Sequence, residues 1–287
     1  MRPSTFSIVA ADPATREVGV AVQSKFLSVG AAVPWVSADA GAVATQAWAN
    51  TTYGPRGLAL LREGRAPAAV IAELIRDDAA AEDRQVGVVT PDGAAATFTG
   101  AGCMDWAGGV AGDGYAAQGN ILAGAGVVRA LAETFEQTRG ALADRLIAAL
   151  MAGQAAGGDR RGQQSAALYI AKPGGGYAGF NDRYVDLRVD DHAEPIAELA
   201  RLLELHKLYF FEARPEDVLT VDATLGAEIA ALLRAAGSVT TSSTYDATTR
   251  AALVHFMHRE NLEDRVRSDG TVDRQTLDYL RAFVARG

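Results

Sequence analysis

The stretch Thr5-Phe6-Ser7-Ile8-Val9-Ala10, followed after the polar turn Asp12–Glu17 by Val18-Gly19-Val20-Ala21-Val22, decides the fold class. Both runs have strand character, and both are apolar at odd and even positions alike. A strand with one wet face alternates polar and apolar residues; these do not, so the hairpin is expected to be buried on both faces. Gly30–Val36 and Ala42–Gln46 read as two further strands, which would make the opening a meander of about four.

Beyond it the apolar period lengthens. A helix is expected from Pro55, which suits a first helical turn, to Gly64, which suits a helix end. A second covers Ala68–Ile75, with Val70, Ile71, Leu74 and Ile75 at helical spacing. Val86–Val89 and Ala94–Thr99 flank Pro91-Asp92-Gly93 and read as a hairpin. The glycine-rich Gly100–Gly114 reads as a loop, and Gln118-Gly119-Asn120 as the opening of the next helical region. Val127–Phe135 and Ala141–Ala155 read as helices; Ser165–Ala171, Tyr177–Phe180 and Val185–Val189 as strands; Pro195–Phe211 as a helix. This order does not alternate strand with helix, which disfavours a doubly wound parallel sheet. The expected class is α+β: two mainly antiparallel sheets face to face, with helices on both outer sides.

The charged break Arg214-Pro215-Glu216-Asp217 divides the chain into expected domains of residues 1–213 and 214–287. The second is small and all-α, with helices at Thr224–Ala235, Ala247–Glu260 and Asp273–Ala285. Asp246 and Asp273 are placed to cap helices, and Thr240–Thr244 reads as a polar linker.

A formal net charge of −8 argues against nucleic acid and anionic membrane surfaces as partners, since both require concentrated Lys and Arg. Met1–Ser4 leads straight into a strand without a secretory pattern, and no run approaches a membrane span, so a cytoplasmic protein is expected. The single Cys103 precludes an intrachain disulfide and, in its apolar setting, reads as a buried, inert thiol. No dinucleotide or P-loop fingerprint occurs. His255 and His258 share a helix face near Glu260 but read as exposed helix residues; no metal or cofactor is expected.

The informative feature is a set of polar residues inside apolar segments. Gln23-Ser24-Lys25 ends the second strand. Gln46 and Asn50 end the fourth, with Tyr53 just beyond. Gln118 and Asn120 flank Gly119; Asp159 and Arg160 precede Ser165; Asn181, Asp182 and Arg183 open a strand. An unpaired buried amide or hydroxyl costs a few kcal/mol, so such groups either bond one another or line a wet cleft.

These strings resemble the domain of unknown function 1028 family. The resemblance is carried by Thr5–Ala10, Val18–Lys25, Ala44-Thr45-Gln46-Ala47-Trp48-Ala49-Asn50, Gln118-Gly119-Asn120-Ile121-Leu122, Gly157–Gly162 and Gly179–Asp190. It implies a fold similar to the N-terminal nucleophile hydrolases, a four-layer αββα sandwich. Thr249–Phe256, Asn261-Leu262, Asp269–Asp273 and Thr276–Leu280 resemble a helical peptidoglycan-binding-like domain.

The resemblance implies Thr5 as a nucleophile whose own α-amine serves as base, with Lys25 nearby and Asn50 or Asn120 as oxyanion donors. Gln23, Ser24, Gln46, Tyr53, Gln118, Asp159, Arg160, Ser165, Asn181, Asp182 and Arg183 would line the substrate cleft. Met1–Ser4 precede Thr5, so this chemistry requires Thr5 to become the amino terminus, for example by cleavage at Ser4–Thr5. A β-branched residue also opens a strand merely because it favours extended backbone. Two functions therefore stand side by side: an amidohydrolase acting on a small amide or peptide-like substrate, linked to peptidoglycan metabolism, or a non-catalytic ligand-binding or assembly protein on the same fold. The tail would recruit a glycan or protein partner, and homo-oligomers are expected.

Overall fold

The computed structural model describes residues 5–238 and 242–286. They form two compact units, divided between Leu203 and Glu204. In chain order the first unit contains β1 (Thr5–Asp12), β2 (Glu17–Ser24), β3 (Pro34–Ser37), β4 (Gly41–Ala47), α1 (Tyr53–Arg62), α2 (Pro67–Arg76), β5 (Arg84–Val89), β6 (Ala95–Thr99), β7 (Gly108–Gly112) and β8 (Tyr115–Asn120). Then come α3 (Ala125–Gln137), α4 (Leu142–Ala155), β9 (Ser165–Ala171), β10 (Arg183–Val189) and α5 (Pro195–Phe210), which runs past the division.

All pairings within the two main sheets are antiparallel. One sheet has the order β10-β9-β2-β1-β8-β7 and the other β3-β4-β5-β6. Val9, Ala11, Val18, Val20 and Val22 of the first pack with Val36, Ala42, Ala44 and Val89 of the second in a shared core. The opposite face of the four-stranded sheet buries Val43, Val86 and Val88 against Tyr53, Leu58, Leu61, Val70 and Leu74 of α1 and α2. On the far side of the six-stranded sheet, Phe6 approaches Gly153 of α4 beside Leu131 of α3. This double burial accounts for the unbroken apolar sequence of β1 and β2, every residue of which but Asp12 is buried. The expected mixture of helices and antiparallel sheets is what the chain forms.

Local chemistry sets the ends. Pro67 opens α2, where its fixed φ suits the first turn. Gly41 joins β3 to β4 at φ +131, and a Cβ there would lie 2.1 Å from the Val89 carbonyl oxygen.

Several elements differ from expectation. The four opening strands are not one meander, because β1 and β2 belong to one sheet and β3 and β4 to the other. Gly30–Val36 is not a continuous strand. A 3-10 turn occupies Val29–Ala31, where the chain crosses between sheets with Ser28 left-handed (φ 55), and β3 begins only at Pro34. Gly100–Gly114 is not loop throughout, since β7 lies within it. Gln118-Gly119-Asn120 opens no helix; it ends β8, paired with β1. Tyr177–Phe180 is a 3-10 turn at Tyr177–Gly179 with both aromatic rings exposed. Cys103 is half-buried, its Sγ donating to the Arg84 carbonyl at 3.3 Å.

The second unit holds β11 (Val218–Leu219), α6 (Ala223–Ala235), α7 (Ala247–Arg259), β12 (Val272–Asp273) and α8 (Arg274–Ala285). Asp222, Asp246 and Asp273 cap the three helices by accepting from the backbone N–H of Leu225, Thr249 and Thr276. Two of these caps are the expected ones. The expected linker Thr240–Thr244 lies partly outside the described residues. Arg214-Pro215-Glu216-Asp217 forms a 3-10 turn at Pro215–Asp217. Ile229, Leu233, Leu253, Phe256, Leu277 and Leu280 make the core, joined by Leu208 from the end of α5. Buried Arg265 binds this unit together. It donates to Asp273 Oδ1 (2.8 Å), to the carbonyls of Lys207 (2.9 Å) and Phe211 (2.7 Å), and to that of Leu208.

Replacing Arg265 with Met leaves Asp273 buried and uncompensated together with three carbonyls that end α5. The expected loss is about 3–5 kcal/mol. Denaturant unfolding of the full chain checks it, with the loss confined to the transition that reports the second unit.

Candidate functional site

Side chains of a strand alternate between faces, so register alone sorts the inner layer. On β1, Thr5 and Ser7 share parity with Val9 and Ala11, which lie in the core between the sheets. On β2, Ser24 shares it with Val22; on β4, Gln46 with Ala44; on β8, Gln118 and Asn120 with Ala116; on β5, Gln85 with Val89. The layer between the sheets is therefore apolar at one end and polar at the other. Thr5 pairs with Ser24 on one side and Asn120 on the other, so the start of the central strand lies in the polar end.

That end is a connected network bridging the sheets. Ser7 Oγ donates to Gln46 Oε1 at 2.6 Å and accepts from Gln118 Nε2 at 2.7 Å. Gln46 Nε2 donates to Gln85 Oε1 (2.8 Å) and to the Thr5 carbonyl (3.3 Å). Gln85 Oε1 also accepts from Asn120 Nδ2 at 3.0 Å, while Gln85 Nε2 donates to the Gly119 carbonyl (2.8 Å) and Thr99 Oγ1 (2.9 Å). Thr97 Oγ1 donates to Gln118 Oε1 at 3.1 Å. Gly87 is required beside this network, because a Cβ there would lie 2.2 Å from Gln118 Oε1. The Thr5 side chain, 1% exposed, meets Ser24 Oγ at 3.1 Å. Among the described residues no carboxylate or imidazole contacts the Thr5 hydroxyl.

Backbone strain borders the network. Ala47 (φ 64) follows Gln46, and Ile121 (φ 53) follows Asn120. Left-handed backbone at a non-glycine residue is uncommon, and for β-branched Ile a true outlier; such outliers cluster at working sites. Both residues help line a shallow pocket with exposed Trp48 and Met104 beside Asn120.

The remaining expected residues divide into three groups. Asp159 and Ser165 sit beside the network. Buried Asp159 Oδ2 accepts from the Lys25 backbone N–H (3.0 Å), and its carboxylate pairs with Arg161. Ser165 accepts from the Val29 N–H at 3.0 Å and donates to the Phe26 carbonyl. Lys25 itself is exposed, its Nζ donating to the Gln163 carbonyl at 3.0 Å, and Arg160 is an exposed residue that bonds the Asp105 carbonyl. Gln23 is buried on the opposite face of β2 from Val22, with no hydrogen bond to either amide atom.

Asn50 and Tyr53 form a second cluster just after β4. Asn50 Nδ2 (3.0 Å), the Tyr53 hydroxyl (2.8 Å) and Arg84 Nε (2.9 Å) all donate to Asp78 Oδ2. Arg84 also bonds the Trp48 carbonyl, so the cluster anchors the loop that carries Trp48. The Arg84 guanidinium holds the Asp78 carboxyl far below its ordinary 3.8, and burial, then the bond to Asp78, pushes the Tyr53 hydroxyl up.

Asn181, Asp182 and Arg183 form the third group, and they are not brought to Thr5. Ser165 pairs with Ser24, but Arg183 pairs with Ala171, six steps of ~3.3 Å and so about 20 Å along β9. There Asp182 accepts from the Ala38 N–H at 2.8 Å and Arg183 pairs with Asp186.

Sequence reasoning missed Ser7, Gln85, Thr97 and Thr99. The parity of Thr5 and Ser7 within an otherwise apolar strand was the available signal. Gln85 was hidden because the expected strand began one residue later. Among the described residues no cluster of His, Cys, Asp and Glu could hold a metal, and no helix is long and apolar enough to cross a membrane.

Two contrasts check this description. Gln46→Leu strands Ser7, Gln85 and Gln118 partners and is expected to cost about 2–3 kcal/mol, whereas Gln23→Leu removes an unpaired amide and is expected to be neutral or stabilising; chemical denaturation measures both. Because the folded pKa of Asp78 is depressed, its contribution is complete above about pH 4 and lost as pH falls below that value. Asp78→Asn is expected to be less stable at neutral pH and to flatten the acid limb of the stability profile, read by thermal melting from pH 7 to pH 2.

No curated protein matches the chain. A model described as "Putative peptidoglycan binding domain" matches residues 209–280. The crystal structure of protein SPO2555 from Silicibacter pomeroyi, assigned to family model DUF1028, is similar at 32% identity and a TM-score of 0.66, covering 72% of this chain and 91% of that one. The family model described as "Family of unknown function (DUF1028)" matches residues 5–199, most of the first unit, and the chain belongs to that family.

Proposed function

We propose that the first unit is a four-layer αββα sandwich of the N-terminal nucleophile hydrolase kind, and that it cleaves a small amide or peptide-like substrate when residue 5 is the amino terminus. The observation that carries this reading is Thr5 itself. It begins the central strand at the polar end of the inner layer, with its hydroxyl against Ser24 Oγ at 3.1 Å and, among the described residues, no side-chain base in contact. The base covalently held beside that hydroxyl is its own α-amine, whose pKa near 8 leaves a useful neutral fraction at physiological pH.

In the proposed reaction the amine takes the hydroxyl proton as Thr5 Oγ1 attacks the substrate carbonyl. Asn120, opposite Thr5 across the β1–β8 pair, donates to the developing oxyanion. The ammonium returns the proton to the departing amine, and water then hydrolyses the Thr5 ester. Lys25 contributes through its backbone N–H, which fixes Asp159. The second unit attaches the protein to a peptidoglycan glycan; its match to a peptidoglycan-binding model supports this. The mutual satisfaction of Gln46, Gln85 and Gln118 favours a second reading, a non-catalytic ligand-binding protein on the same fold.

The test compares the encoded chain, a form beginning at Thr5, and Thr5→Ala and Thr5→Ser versions of that form, on a panel of acylated amino acids and stem-peptide amides. Turnover is expected from the form beginning at Thr5, rising with pH through about 8. Thr5→Ala is expected to lower it roughly 100-fold or more, with part retained in Thr5→Ser. An unchanged rate in Thr5→Ala would falsify the hydrolase reading, and no turnover by any form favours the binding reading.

A further inference from the structure

The second unit contains a cleft of about 520 Å³ at the end of α5, lined by Tyr209, Phe210, Phe211, Glu212, Asp264 and Arg267 among others. That size fits a small organic ligand rather than an ion. Its walls are locked. Arg265 holds the carbonyls of Lys207 and Phe211 on one side and Asp273 on the other, so the end of α5 and the 264–267 segment keep a fixed spacing.

Three features of the lining point to one chemistry. Phe210 is 61% exposed, and the His206 ring lies tilted against it at 45° with centroids 4.8 Å apart, which steadies a ring presented to solvent. The carboxylates of Glu212 and Asp264 have no hydrogen bond or ion pair among the described residues and can accept from hydroxyl and acetamido N–H groups. Arg267, tied by Thr271 Oγ1 at 2.6 Å, adds a positive donor that an anionic substituent would meet. A flat aromatic face beside acceptors suits a pyranose, whose C–H face is apolar and whose rim is hydroxylated. A lipid chain would leave the carboxylates unpaired, and a purely cationic group would face Arg267.

We propose that this cleft is the glycan site of the second unit, taking one amino-sugar ring of a peptidoglycan strand with the ring stacked on Phe210 and its polar rim bonded to Glu212 and Asp264. The assignment rests on the glycan-binding reading above and names its location. Phe210 is exposed and lies outside the unit's core, so its truncation leaves the fold intact.

The test uses the full chain, pelleted with purified peptidoglycan sacculi and titrated calorimetrically with a β-1,4-linked N-acetylglucosamine tetramer. Phe210→Ala, the double variant Glu212→Gln/Asp264→Asn and the surface control Glu228→Gln are compared, with melting curves confirming folding. The expected result is binding of both probes by the wild type and the control, weakened roughly tenfold or more in Phe210→Ala and in the double variant. Wild-type binding unchanged in both variants overturns the location while leaving the glycan reading standing. Binding of sacculi but not of the tetramer overturns the sugar-ring assignment in favour of the stem peptide. A wild type that binds neither probe overturns the glycan reading, and the location with it.

Discussion

The hydrogen bond from Gln46 Nε2 to Gln85 Oε1, and the bridge it completes to Ser7 and Gln118, is the interaction on which the inner layer depends. Two sheets pressed together by Val and Ala side chains would have no reason to end in a hydroxyl at Thr5. The four-stranded sheet supplies Gln46 and Gln85, and the six-stranded sheet supplies Ser7, Gln118 and Asn120. Each amide satisfies a group from the other sheet. A partly satisfied set of this kind would cost more than an apolar core, so the network also fixes one register between the sheets.

The network positions Thr5 as well as the two sheets. It holds the Thr5 carbonyl through Gln46 and sets Asn120 opposite, while Ser24 meets the hydroxyl. Strained backbone follows at Ala47 and Ile121, where the chain leaves the network and reaches the pocket rim. The Asp78–Arg84 pair then anchors the Trp48 loop from outside. Rigid strands thus fix the buried Thr5 hydroxyl, and the pocket beside Asn120 is bordered by Ala47, Trp48, Met104 and Ile121.

Much of this was legible in residue order. Apolar residues on both parities of β1 and β2 foretold strands buried on both faces, and the succession of strands and helices foretold antiparallel sheets. Gln46, Gln118 and Asn120 stood out as amides in apolar surroundings. What could not be read was partnership across the sheets. Gln85 sits one residue before an apolar run and looks like a strand end until Asn120 is laid against it. Glycines at 108, 109 and 112 hid β7, because its exposed edge position needs no apolar side chains. Asn181–Arg183 resembled the other polar strand openings, yet β9 carries the pairing in the direction away from Thr5. In the second unit, capping aspartates and apolar spacing gave the helices, whereas the role of Arg265 emerges only from the carbonyls it gathers.

The most direct measurement is covalent. The form beginning at Thr5 is incubated with an acylating β-lactone, and its intact mass and peptide map are recorded. A single adduct is expected, carried on the Thr5 side chain and absent from Thr5→Ala. A mass that stays unmodified, or an adduct found instead on Ser24, Lys25 or Cys103, contradicts it.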